Sequence, residues 1–196
     1  MPAPPLEPIT LTGTHVVLAP LEADDVDALY AAVGAPVLWA LGSTPMRDRH
    51  DMAAYVERQL SSEHDLSWKT LDARTGEIIG CTNLHQWSAH DRSGEIGTTR
   101  IAVHRQGTGA NTEAKYLQLR YAFETLSAHR IGFRTDTRNE RSQAALRKIG
   151  ATFEGVHRRH MVLHDGYVRD SAWFSITDEE WPGVKQRLES LLASGA

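Results

Sequence analysis

The chain has 196 residues, 41% hydrophobic and 23% charged, a length and balance that predict one compact globular domain. Its 21 Lys and Arg against 25 Asp and Glu give a formal net charge of −4, so overall charge does not recruit nucleic acid or another polyanion. No stretch approaches the roughly 20 apolar residues of a membrane span, and the single cysteine, Cys81, excludes an intrachain disulfide framework and fits a reducing cytoplasm.

In chain order, residues 1–10 carry Pro2, Pro4, Pro5 and Pro8 and read as a flexible or extended arm ahead of a single domain over 11–194. The arm lacks the basic-then-apolar layout of a signal peptide. His15–Leu21 reads as a strand closed by Pro20. Glu22–Asp25 opens a helix whose apolar face is Val26, Leu29, Tyr30 and Val33, ended by Gly34 and Pro36. A second helix runs from Asp51 to about Leu60. Leu66–Asp72 and Ile78–Trp87 are strands joined by the turn signal Arg74–Glu77. A β-branched strand over Glu95–Val103 meets the glycine loop Gln106–Asn111. Asn111 or Thr112 can cap the helix that follows to Leu126. Arg130–Asp136 is a strand, Glu140–Ile149 a helix closed by Gly150, and Thr152–Leu163 with Val168–Ile176 a hairpin turned at Asp165-Gly166. Thr177–Glu180 is a capping box for a last helix bearing Val184, Leu188, Leu191 and Leu192.

A glycine loop at a helix N-terminus offers unpaired backbone N–H groups and the positive end of the helix dipole, a combination that binds phosphate. Taken alone, the loop serves equally as a plain turn. It lacks the third glycine of a dinucleotide-binding fingerprint and the Gly-Lys-Ser/Thr ending of a P-loop. The ten histidines are scattered without the spacing of a zinc site, so no metal is expected.

Two stretches together carry a resemblance. Gln106 and Gly109 fit Gln/Arg-x-x-Gly-x-Gly/Ala, with Asn111 departing at the last position. Asn139, Ser142, Gly150, Phe153, Glu154 and Gly155 fit Asn-x-x-Ser followed by Gly, Phe and Glu-Gly. Over about residues 10–190 the chain resembles the GCN5-related N-acetyltransferase (GNAT) superfamily, in the branch similar to ribosomal-protein N-terminal alanine and serine acetyltransferases. The resemblance implies an α+β fold, an α/β/α sandwich. Its sheet would be mixed, mostly antiparallel and twisted, with a central splayed parallel strand pair and helices on both faces. It implies acetyl-CoA as co-substrate, a primary amine of a small molecule or a protein N-terminus as acceptor, and possible homodimers.

The resemblance places main-chain contacts to pantetheine at Ile101 and Val103, and the pyrophosphate on Gln106, Gly107, Thr108, Gly109, Ala110 and Asn111. Asn139 contacts the pantetheine or caps its helix, and Ser142 donates a proton to the leaving thiolate or is a surface serine. Attack is direct, so Cys81 is not required as a nucleophile. Glu95 is the first candidate base, with His85 and His160 as alternates, since an even spacing puts Glu95 and Ile101 on one strand face unless a bulge intervenes. Trp39, Trp87 and His160, with Arg47 and Arg169, are candidate acceptor linings. A non-catalytic acyl-CoA-binding or sensing domain, and a transferase using succinyl-CoA or another acyl-CoA, are the alternative functions.

Overall fold

The structure, a computed structural model, describes residues 6–194; the first half of the expected N-terminal arm lies outside them. One eight-stranded sheet organises the chain, in the order β1-β2-β3-β4-β5-β6-β8-β7. The strands are β1 (Leu11–Thr12), β2 (Val16–Pro20), β3 (Leu66–Asp72), β4 (Ile78–Ser88), β5 (Ser93–Ile101), β6 (Arg130–Asp136), β7 (Thr152–Val162) and β8 (Val168–Thr177). Every neighbouring pair is antiparallel except β5 and β6. Those two are parallel over three positions only, from Ser93↔Arg130 to Glu95↔Gly132. Beyond them β5 stays with β4 and β6 stays with β8, so a wedge opens in the middle of the sheet.

Helices α1 (Val26–Val33) and α2 (Arg49–Leu60) cover one face, and α3 (Ala110–Arg120), α4 (Glu140–Ile149) and α5 (Trp181–Ala193) the other. Each face has its own core. Trp39, Met52, Tyr55, Val56 and Cys81 pack under α1 and α2. Leu117, Leu119, Phe133, Phe174 and Leu188 pack under α3 and α5. Full burial of each such side chain stabilises the fold by about 1.5–3 kcal/mol.

Several ends differ from the sequence expectation for local reasons. Chain 6–10 is docked, with Trp68 Nε1 donating to the Ile9 carbonyl at 2.8 Å. The two-residue strand β1 was too short for a periodicity to show; it is held because Glu113 on α3 accepts from the backbone N–H of Thr14, His15 and Val16 at 2.9, 2.6 and 2.7 Å. Helix α2 begins at Arg49, two residues before the expected Asp51, because Asp48 caps it, accepting from the N–H of His50 and Asp51. Thr177 and Glu180 do exchange backbone-to-side-chain bonds, at 2.8 and 3.4 Å, yet the helix proper begins at Trp181 with Pro182 in its first turn. The helix expected to run to Leu126 ends as α-helix at Arg120 and continues as one π-helical turn over Tyr121–Thr125.

Candidate active site

The wedge is the mouth of a cleft of about 610 Å³ that runs from the glycine loop, past α4, to the α1–α2 connection. Strand β5 ends at Ile101, and Val103–Arg105 is a 3-10 turn. The strand expected to reach Val103 is therefore two residues shorter. Val103 is 57% exposed and does not line the cleft, because the turn carries it away from the sheet edge. Ile101 does line it. The N–H of Ala102 bonds to the Ile79 carbonyl on β4 at 2.8 Å, and backbone groups alternate along a strand, so those of Ile101 point the other way, into the wedge. The Ile101 carbonyl is taken by the Gln106 side-chain amide at 2.9 Å.

That bond ties the glycine loop to the strand end. Gly107 and Gly109 both have positive φ, +78° and +81°, a region that L side chains avoid. Gly109 is the N-cap of α3, so neither Asn111 nor Thr112 plays that part; the left-handed turn at Gly109 starts the helix before either is reached. Gln106, Gly107, Gly109 and Asn111 line the cleft, whereas Thr108 and the buried Ala110 do not. The Thr108 hydroxyl turns back to the Arg105 carbonyl at 2.7 Å. Across the wedge, Asn139 caps α4 by accepting from the Ser142 N–H at 3.0 Å. Its amide N–H groups and the half-buried Ser142 hydroxyl stand at the cleft wall.

The bulge in β5 decides which side chains meet. Arg100 pairs with Cys81 but Gly97 with Asn83, so one residue is extra, and Thr98 takes φ +41°. Residues paired across antiparallel strands share a face. Glu95, Gly97 and Arg100 therefore lie with His85, Asn83 and Cys81 on the α1–α2 face, and Ile101 lies on the α3 face. The same-face pairing of Glu95 with Ile101 expected from even spacing does not occur. Glu95 itself is one layer back from the cleft. His85 stands at the cleft wall, its Nε2 3.8 Å from the Glu95 carboxylate, and Arg134 Nε is 3.1 Å from the same oxygen. Burial pushes the Glu95 carboxyl up. Burial, with Arg134 nearby, pushes His85 down to about 4, so His85 is neutral near pH 7 and its imidazolium is disfavoured where it stands. A Cβ at Gly97 would sit 2.6 Å from His85 Nε2, so the absence of a side chain there makes room for the imidazole.

Of the expected acceptor residues, Trp39 lines the cleft, edge-on to Tyr55 and with the Arg100 guanidinium 4.7 Å over its ring. Trp87 does not. A second bulge, with Gln86 at φ +55°, turns Trp87 into the α3-side core. His160 bonds to Ser171 Oγ at 3.0 Å and belongs to a separate shallow pocket on the β7–β8 hairpin. Arg47 is exposed and paired with Asp51, whereas Arg169 lines the cleft. The Cys81 thiol is buried, 3.6 Å from the Tyr55 hydroxyl.

Sequence reasoning missed Tyr55, Arg100 and Lys115. Lys115 is 6% exposed on the sheet side of α3, with its Nζ 2.6 Å from Thr99 Oγ1 and near Thr82 and Gln118. Burial alone brings it from 10.5 down to about 7. Its helical spacing from Asn111 and Gln118, one turn either side, was the available signal.

Residues 15–152 match the family model described as Acetyltransferase (GNAT) domain. The chain belongs to the GNAT acetyltransferase family. Its relatives include “Putative ribosomal N-acetyltransferase YdaF” of Bacillus subtilis, 33% identical over 110 residues, which cover 56% of this chain and 59% of the relative. The match thus spans less than two thirds of that relative's length. Among solved structures, a GCN5-related N-acetyltransferase from Brucella melitensis superposes with TM-score 0.90 at 29% identity, over 97% of this chain and 88% of that one. Mycobacterium smegmatis RimJ, solved in complex with CoA-disulfide, has the same fold at TM-score 0.81 and 24% identity, covering 96% and 95%. The splayed parallel pair, the mixed sheet and the helices on both faces are those expected for the GNAT fold.

Proposed function

We propose that this GNAT chain transfers an acyl group, acetyl in the first instance, from acyl-coenzyme A to a primary amine. The observation that supports this is the continuity of one cleft from the glycine loop to the open wedge between β5 and β6. The wedge leaves strand-edge amides of β5 free for an extended ligand that carries amides of its own, as pantetheine does, and a buried amide left unpaired costs about 1–3 kcal/mol. In this reading pantetheine runs from the glycine loop into the wedge, its thioester end reaching the β5 edge at Ile101. The pyrophosphate rests on N–H groups from Gly107 to Asn111, where the start of α3 adds its dipole. Asn139 Nδ2 donates to the pantetheine region.

The neutral amine attacks the thioester carbonyl, the C–N bond forms and the C–S bond breaks. The Ile101 N–H, directed into the wedge, is the donor placed to hold the developing oxyanion. Ser142 Oγ donates to the departing thiolate. The ammonium proton of the acceptor is relayed past neutral His85 to the Glu95 carboxylate, whose basicity burial raises. Glu95 acts here through His85 rather than on the amine directly.

The acceptor is an amine of a small molecule or a protein N-terminus; the name of the B. subtilis relative favours a ribosomal protein among the latter. The test is acetyl-CoA turnover against a panel of amines and N-terminal peptides, read as the mass of one added acetyl group. Transfer to at least one class supports the reading. Tight coenzyme A binding with no transfer to any amine would make this a binding or sensing domain instead.

A further inference from the structure

On the α1–α2 side of the wedge four guanidiniums converge on the cleft or its rim, and two of them are already matched. Arg134 faces Glu95, and Arg138 is bidentate on Asp136 through Nε and Nη2 at 3.0 and 2.8 Å. Neither Arg100 nor Arg169 makes a salt bridge among the described residues; the Asp136 carboxylate near Arg169 is engaged by Arg138. Arg169 is 7% exposed and lines the cleft, and its Nε is buried with no hydrogen-bond partner. Arg100 is fixed by the face of Trp39 and by donating through Nη1 to the Thr99 carbonyl at 3.0 Å. Its Nε is likewise buried and unpartnered. A guanidinium whose Nε–H is buried without an acceptor is costly, and the cost is relieved when an anion arrives.

We propose that Arg100 and Arg169 form a carboxylate subsite at the acceptor end of the cleft, so that one of the two substrates carries a carboxylate there. This rests on the acyl transfer proposed above and names the substrate class it takes. The fork of a guanidinium matches a planar carboxylate. The cofactor's own phosphates are directed to the glycine loop, at the other end of the cleft, and so do not fill this place. Burial depresses Arg169; Asp136 opposes this, and the guanidiniums of Arg134, Arg100 and Arg138 add to it. The site is thus short of negative charge even with Asp136 beside it. The carboxylate can come from the far end of a dicarboxylic acyl chain or from the acceptor molecule.

Two arms separate these sources. In the donor arm, isothermal titration compares a stable thioether of coenzyme A ending in a carboxylate with its matching carboxamide. In the acceptor arm, acetyl transfer is compared for glycine against glycinamide and for C-terminally amidated Ala-Glu against C-terminally amidated Ala-Gln. The wild-type protein should prefer the carboxylate member at least about tenfold in one arm. That preference should fall to within about twofold in both Arg169→Gln and Arg100→Gln, as the bidentate partner is lost. Coenzyme A itself is titrated into each protein first. If it fails to bind the wild type, the acyl-transfer reading is what falls. If it binds wild type and variants but neither arm shows the preference, or the variants keep it, the carboxylate subsite is overturned.

Discussion

Lys115 gives the sharpest physical test of the fold around the cleft. Its ammonium is buried under β5 with only hydroxyl and amide oxygens around it, and burial lowers it from 10.5 to about 7. That displacement corresponds to about 5 kcal/mol of destabilisation when the group is charged in both folded and unfolded chains. The sign follows from proton counting. Between pH 7 and 10.5 the unfolded chain holds a proton that the folded one has shed, so the folded state gains stability as pH rises through that window. The full cost is present below pH 7. Between pH 7 and pH 9 about 2 kcal/mol of it disappears.

Lys115→Met keeps the length of the side chain and removes the charge. It also leaves the oxygens of Thr99, Thr82 and Gln118 without their donor, but that loss is independent of pH. The measurement is therefore a difference: urea unfolding of wild type and variant at pH 7, 8 and 9, followed by tryptophan fluorescence. The stability of Lys115→Met relative to wild type should fall by about 2 kcal/mol from pH 7 to pH 9. Parallel pH profiles would refute a buried, depressed lysine at this place.

Other outcomes follow from the same geometry. Glu113→Ala leaves three backbone N–H groups of the β1–β2 turn without an acceptor and should lower unfolding stability by about 2–5 kcal/mol, measured by urea midpoint. Gly97→Ala puts a methyl group 2.6 Å from His85 Nε2; displacing the imidazole should cut kcat at least about tenfold in a protein that still binds coenzyme A, and an unchanged kcat would remove His85 from the proton route. Gly109→Val forces a β-branched residue to φ +81° and should weaken coenzyme A binding at least about tenfold by titration calorimetry. His85, lowered to about 4, makes stability decline as pH falls from 6.5 to 4. The contribution is of order 3 kcal/mol, and His85→Gln should flatten that limb in acid-unfolding curves.

Much of this architecture was legible because its signals are local and periodic. Strand β6 and helix α4 fall where alternation and the Asn139 and Gly150 caps place them. The glycine loop and the Asn139–Ser142 turn were readable as a pair because each motif sits at a chain reversal, where backbone conformation narrows the choice of residue. The side-chain constellation was not. Thr98 at φ +41° is a β-branched residue in a conformation that its type disfavours, so nothing local marks the bulge, and the parity of Glu95 and Ile101 held only on the condition that no bulge intervened. Trp87 was misplaced for the same reason at Gln86. His160 and Trp87 were read as linings from residue type alone, whereas the tertiary fold sends them to a separate surface pocket and to the core. Arg100 escaped notice because a cation on a strand reads as solvated until Trp39 is known to lie beneath it.

The bulge at Thr98 also sets a limit on how this chain can be recombined with others of its family. Side chains alternate with period two, so one residue added or removed between Gly97 and Ile101 exchanges the faces of everything on one side of the change. A chimera joined without the extra residue would turn the Arg100 guanidinium toward α3 and Lys115, and bring an isoleucine against Trp39. The crossover would preserve every residue of the glycine loop and still place two cations together in the cofactor half of the cleft. Grafts that aim to transfer acceptor preference should therefore take β5 whole, from the turn before Ser93 through Gln106, rather than be joined by alignment within the strand.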